Sequence, residues 1–294
     1  MQSNNPVFRR SEEFNSANAY GNQTYAGNGS AHQGYGQTGY TDPATWGTGQ
    51  PGQPGQPTPP VETGGPMTID SVVQKTGIAL AVVIVTALAT WIMTPEITPE
   101  TTNEDLGGLI AMMTIGSLGA FALSMVNSFK RVISPALVLV FCAFEGVALG
   151  ALSKFFDAQF GEGVVMGAVI GTFGAFAGTL AAYKFFNIKV SGKFKMFVVA
   201  AVFGMIGLSL MELVLSMFGA SFGLFAVSGL GMVTAVAGLV LGVFMLIMDF
   251  DFVEQGVANG IPERESWRAA FAMTVSLVWI YTNLLRILAF FSDN

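Results

Sequence analysis

The sequence predicts an all-α integral membrane protein, a bundle of seven transmembrane helices behind a disordered N-terminal tail. Three observations carry that expectation. Of the 294 residues, 52% are hydrophobic and 11% charged, whereas soluble domains carry about 25% Asp, Glu, Lys and Arg. Seven apolar runs follow one another, each near the ~20 residues that a helix needs to cross a ~30 Å hydrocarbon core. The residues before position 67 differ in composition from everything after them. Whole classes of chemistry are excluded at the same time. The single Cys142 cannot form an internal disulfide, and the single His32 lies in the polar tail, so zinc clusters and His-dependent triads are ruled out. With 13 basic residues and a net charge of -6, the chain lacks the cations that would neutralise nucleic-acid phosphates.

Residues 1–66 hold eight of the 12 prolines and four of the six tyrosines, among Gly, Gln, Asn and Thr. Such a stretch buries too little apolar surface to offset its ordering entropy, and it reads as a disordered tail. Its start has no apolar core of the kind found in secretory signal peptides, so it is expected on the cytoplasmic side. Tyr20, Tyr25, Tyr35 and Tyr40 offer aromatic faces for weak self-association, and a plain entropic spacer is the stronger reading. The second domain, 67–294, opens with Met67–Lys75, a short interfacial helix capped by Thr68. The spans are expected at about 76–93, 107–128, 134–153, 163–183, 195–217, 225–248 and 269–291.

Lys and Arg in the loops set the expected orientation. With the N-terminus inside, Lys75, Lys130, Arg131, Lys184, Lys189, Lys193, Lys195, Arg264 and Arg268 are cytoplasmic, and Lys154 alone is outside. That distribution predicts a cytoplasmic N-terminus and an outer C-terminus. Glu96, Glu100, Glu104, Asp105, Asp157 and Glu162 would give the outer loops an acidic face for cations. Glycines at four-residue spacing, Gly163, Gly167 and Gly171 with Gly174 and Gly178 after them, put the fourth span near the centre of a compact bundle. Gly146 with Gly150, and Gly238 with Gly242, repeat the spacing in spans three and six.

Ionisable side chains inside spans cost about 2.5 to 3.5 kcal/mol each for Asp, Lys or Arg at mid-helix, so each is a candidate for function. Glu145 lies ~15 Å beyond Pro135 by helical rise, close to mid-bilayer. It is a candidate for reversible proton or cation binding, with hydrogen-bonded glue between helices an equal alternative. Asp249, Asp251 and Glu254 close the sixth span. A solvated helix end is the ordinary explanation, but Phe250, Phe252 and Val253 between them argue for packing, and a carboxylate cluster at a pore mouth would concentrate cations. Oxygen ligands of this kind suit Ca2+, making Asp249 and Glu145 the candidates for transient metal contact. Glu212 and Arg286 lie at matching depth, ~26 Å from the inner face, and are expected to pair and close the outer end.

The order of the spans, the basic break Asn127-Ser128-Phe129-Lys130-Arg131, Phe144-Glu145-Gly146, the Asp249 segment and the ending Asn283-Leu284-Leu285-Arg286-Ile287-Leu288 together resemble the Bax inhibitor-1 (transmembrane Bax inhibitor motif, YccA-like) family. The resemblance covers about 67–291, and the Gly/Gln/Pro/Tyr tail with Met67-Thr68-Ile69-Asp70 is similar to its actinobacterial branch, hence a bacterial cell membrane. It implies six helices around a central seventh and a pH-sensitive calcium leak, gated by two aspartates that share protons. Asp249 matches the first aspartate. No acidic residue lies between Glu265 and Asp293, and counting back from Leu-Arg-Ile-Leu puts Ser276 at the second position, so a coupled dyad is not available. Asn283 lies on the same helical face as Ser276. The family's basic latch on the first aspartate falls to Arg131 or Lys130.

Two functions therefore compete: a cation leak, with Ca2+ or another cation as cargo, and a non-transporting regulator that binds other membrane proteins such as a membrane protease. Enzymatic activity ranks last, because an intramembrane aspartyl protease needs a second acid facing Asp249 from span seven. No resident cofactor is expected.

Overall fold

The computed structural model describes residues 65–97, 101, 103–161, 163–186 and 188–293. Residues 1–64 of the expected tail, with its tyrosines, and the acidic side chains of Glu100, Glu104, Asp105 and Glu162 lie outside the described residues, while Gly65 and Pro66, expected in the tail, bridge to the link before α7. The apolar runs form seven helices long enough to span a bilayer: α1 Ile69–Met93, α2 Asn103–Phe129, α3 Pro135–Phe160, α4 Val164–Phe185, α5 Gly192–Met217, α6 Gly229–Ala258 and α7 Ser266–Asp293. A 3-10 turn, Glu263–Glu265, leads into α7. The chain is a multi-pass membrane protein, and its helices imply a lipid bilayer around it.

Local chemistry fixes the helix starts. Thr68 caps α1 through a reciprocal box, its hydroxyl accepting from Ser71 N at 3.1 Å while Thr68 N donates to Ser71 Oγ at 3.2 Å. Ser191 and Ser228 cap α5 and α6 by a single bond, each side chain accepting from a backbone N–H, of Phe194 and Gly231, and Pro135 opens α3 where its missing N–H costs nothing. The hairpin from α3 to α4 turns through Gly161 and Gly163 at φ 89° and 105°, values that a side chain with a Cβ rarely tolerates. The separate interfacial helix expected over 67–75 does not exist. Nothing between Lys75 and Thr76 breaks the helix, so α1 runs unbroken from Ile69, and Lys75 reaches out to Glu263 at 2.9 Å.

Successive helices run in opposite directions. The starts of α1, α3, α5 and α7 share one face with the ends of α2, α4 and α6. This face carries the loop Lys and Arg residues and is called the basic face below. The first described residues are stitched to it: Met67 N donates to Ile261 O at 2.7 Å, Glu263 N donates to Gly65 O at 2.9 Å, and the Met67 side chain is buried beside Ile261 and Gly256.

The centre of the bundle is α7, which packs against α1, α3, α4 and α6, while α2 leans on α3 and α5 on α6 at the periphery. Ala270, Thr274, Ile280, Leu285 and Ala289 of α7 are fully buried, whereas Val198 is the one buried residue of α5. The expectation that α4 is central is therefore corrected. Its Met166, Ile170 and Phe173 are exposed. Cβ atoms at Gly167 and Gly171 would meet Leu288 and Leu284 of α7 at 3.0 Å, but those at Gly174 and Gly178 would meet open space. A glycine stripe lets one neighbour come close, and closeness to one helix does not put a helix in the middle. The other stripes do work as expected. Cβ atoms at Gly146 and Gly150 would collide with the Val83 and Ala87 carbonyls of α1, and one at Gly242 would lie 2.7 Å from Ile280 of α7.

Candidate functional site

Helix rise of ~13 Å separates Asp249 from the end of α6, and ~15 Å separates Ser276 from the start of α7. A short link joins these antiparallel neighbours, so the two residues arrive at one level. Ser276 Oγ donates to Asp249 Oδ2 at 2.6 Å, with the residues 1% and 3% exposed. A hydroxyl thus meets the buried carboxylate across the contact between the central helix and α6. Asn283, two turns along the same face, packs against Gly238 and donates to the Trp279 carbonyl of its own helix at 2.7 Å, while Trp279 Nε1 donates to Gly238 O at 2.8 Å. Ser276 therefore links to a charge, and Asn283 fits two helices together.

The three acids ending span six do not gather at one mouth. Successive helix positions turn by about 100°, so Asp249 faces away from Asp251 and Glu254, which lie three residues apart on one side of the helix. Asp249 meets α7. Asp251 pairs with Lys195 of α5 at 2.6 Å and accepts from Gln255 Nε2 at 2.6 Å. Glu254 accepts from the Tyr183 hydroxyl of α4 at 2.5 Å. Glu145 is half-buried on the α3 stripe that carries Phe141 and Leu149, away from all three. Among the described residues, no three His, Cys, Asp or Glu side chains converge to hold a metal ion, so Asp249 and Glu145 do not form a built calcium cage.

The latch from Arg131 to Asp249 is not made. Arg131 is exposed in the loop beyond α2, at the level of the basic face, while Asp249 lies well below that face with its hydrogen bond from Ser276. The buried cation here is Arg268, fully enclosed. Its Nε meets Glu265 Oε2 at 2.6 Å, and its Nη2 donates to the Arg131 carbonyl at 2.8 Å. By sequence Arg268 is a loop charge and Glu265 carries no expectation of its own. The signal was present in Glu265-x-x-Arg268, a three-residue helical spacing at the start of an apolar run.

The ion pair expected between Glu212 and Arg286 is replaced by a shared loop. Glu212 accepts from Phe222 N at 3.1 Å and Gly223 N at 2.9 Å. Arg286 Nη2 donates to Leu224 O at 2.6 Å, Gly231 O at 3.0 Å and Thr234 Oγ1 at 2.9 Å, and the guanidinium lies 5.0 Å from the Phe225 ring centre. The matched depth is real, but the loop between α5 and α6 folds in between and takes both charges. Lys154, the one basic residue expected in the outer loops, is buried and donates to the last carbonyls of α1, at Thr94 and, at 2.8 Å, at Trp91.

No curated protein matches the chain. The pattern of the family described as Bax inhibitor 1 like matches residues 5–293. Seven spans with the last at the centre, and a match across nearly the whole length, lead to one conclusion: the chain belongs to the Bax inhibitor 1 like family, whose members are mostly non-enzymatic membrane proteins.

Proposed function

We propose that the protein is a cation leak, with Ca2+ as the expected cargo, whose conductance follows the protonation of Asp249. The observation that carries this reading is the buried Asp249–Ser276 contact between α6 and the central helix. A charged Asp at mid-helix costs about 2.5 to 3.5 kcal/mol, and a hydrogen bond to a charged group returns about 1.5 to 3 kcal/mol. A carboxylate balanced so narrowly responds to a proton or an arriving cation by changing the contact between two helices. Lys195 and Tyr183 engage the neighbouring Asp251 and Glu254, which keeps those acids on α5 and α4 and leaves Asp249 as the acid on α7. The nine-to-one distribution of loop cations supports a cytoplasmic basic face and an outer C-terminus. The Gly/Gln/Pro/Tyr stretch supports an actinobacterial-type member in a bacterial cell membrane.

Calcium-dye flux into liposomes holding the purified chain, at several pH values, tests the proposal. The native protein is expected to conduct in a pH-dependent way, and Asp249→Asn to lose that dependence. Flux no greater than that of empty liposomes, with the protein folded and inserted, overturns it. A second reading, a non-transporting regulator that binds a membrane protein such as a protease, is favoured by the backbone bridge from Gly65 and Met67 to the link before α7. Through that bridge, a partner bound to residues 1–64 would pull on the start of the central helix. Deleting 1–64 leaves a leak intact and disables such a regulator.

A further inference from the structure

Between α1, α3, α4 and α7 lies a cavity of about 390 Å3, in the half of the bundle away from the basic face. Its size falls within the range of ligand pockets, roughly 300 to 1,000 Å3. The rim is built by Ile84 and Leu88 of α1 and Met166 and Phe173 of α4, all exposed on the surface that faces lipid. The hydroxyls in the lining are already engaged: Ser153 and Tyr281 bond each other at 2.6 Å, and Thr172 donates to Ala168 O at 2.7 Å. Water needs two to four polar partners to occupy a buried site, and these walls offer almost none. Left empty, the walls would lose the dispersion contacts that close packing supplies.

We propose that this cavity holds one acyl chain of a membrane phospholipid. The occupant must be apolar because the lining makes no polar demand, and it must come from the bilayer because that is where the rim opens. The cavity runs toward the far end of α1 at Trp91, an indole at the depth where aromatic belts sit, which places the glycerol end of the lipid there. The floor includes Leu277 and Val278, the two residues that follow Ser276 on α7. The chain therefore packs on the helix that carries the hydroxyl bound to Asp249.

The test uses the full chain in liposomes containing phosphatidylglycerol with a photoreactive diazirine in mid-chain, followed by mass-spectrometric mapping of the labelled peptides. Labels are expected to concentrate on 80–91 and 165–173. The lipid-facing surface of α5, which is more exposed, should be labelled less densely and reports annular lipid in the same sample. Ile84→Trp closes the rim from an exposed position and is expected to reduce the groove labels several-fold while leaving α5 unchanged. Groove labelling no denser than that of α5, or groove labelling that Ile84→Trp does not diminish, overturns the proposal. So does native mass spectrometry that finds a free fatty acid and no phospholipid on the protein.

Discussion

At the basic face, α7 begins among matched charges: Arg268 with Glu265, Lys75 with Glu263, and nearby Lys195 with Asp251. At its far end the charges are fewer and hold backbone instead. Arg286 grips carbonyls, Lys154 caps the end of α1, and Glu212 collects two N–H groups. The cause lies in the connections. The link from α6 to α7 is short and presents carboxylates, while the segment from Phe218 to Ser228 turns through Gly219 and Gly223, both at φ 73°, and offers unpaired peptide groups. A charge near the end of a span thus takes whichever partner the adjacent loop supplies, and a loop dipole serves as well as an opposite charge.

The two ends of α7 differ most at Arg268. Arg268→Ala leaves Glu265 buried beside an empty site, and losing one member of a buried pair costs about 3 to 5 kcal/mol. Arg286→Ala leaves only neutral groups behind and is expected to cost about 1 to 3 kcal/mol. Equilibrium unfolding in detergent measures both, and a larger loss at Arg286 would reverse the ranking. The second test swaps charges. Glu212→Arg combined with Arg286→Glu is expected to be no more stable than the weaker single reversal, because neither charge is the other's partner. Recovery of stability in the double variant would restore the direct ion pair. The smallest effect belongs to Lys75→Ala. Its bond to Glu263, a side chain 42% exposed, resembles a surface bridge worth about 0 to 1 kcal/mol and weakened by salt.

Much of the fold was legible because hydropathy is local and additive: every span that the sequence predicts is a helix, while the ends move where a helix runs on past its apolar stretch, at the start of α1 and at the ends of α3 and α6. The depth of Ser276 was legible too, since a fixed rise per residue and antiparallel neighbours bring equal depths together. The same arithmetic misled at Glu212 and Arg286, where depth was right and an intervening loop decided the partners. Arg131 failed as a latch because its loop position puts it above Asp249, a mismatch that the spacing contained. The central helix announced itself less by glycine than by Ala269, Ala270, Thr274, Ser276 and Asn283, small and polar groups that only an enclosed span can hide. Closeness in sequence suggests that Glu254 and Asp251 form one cluster with Asp249, but positions two and five residues on from it point to the other side of the helix.

The most direct test of the central claim compares two polar residues on the same face of α7. Calcium flux across a pH series is measured for Ser276→Ala and for Asn283→Ala, each against the native chain in liposomes. If the contact with Asp249 sets conductance, Ser276→Ala displaces the pH dependence and Asn283→Ala, which loses packing against Gly238 and a bond within its own helix but no contact with Asp249, leaves it in place. Equal displacement by both variants, or by neither, would contradict the claim.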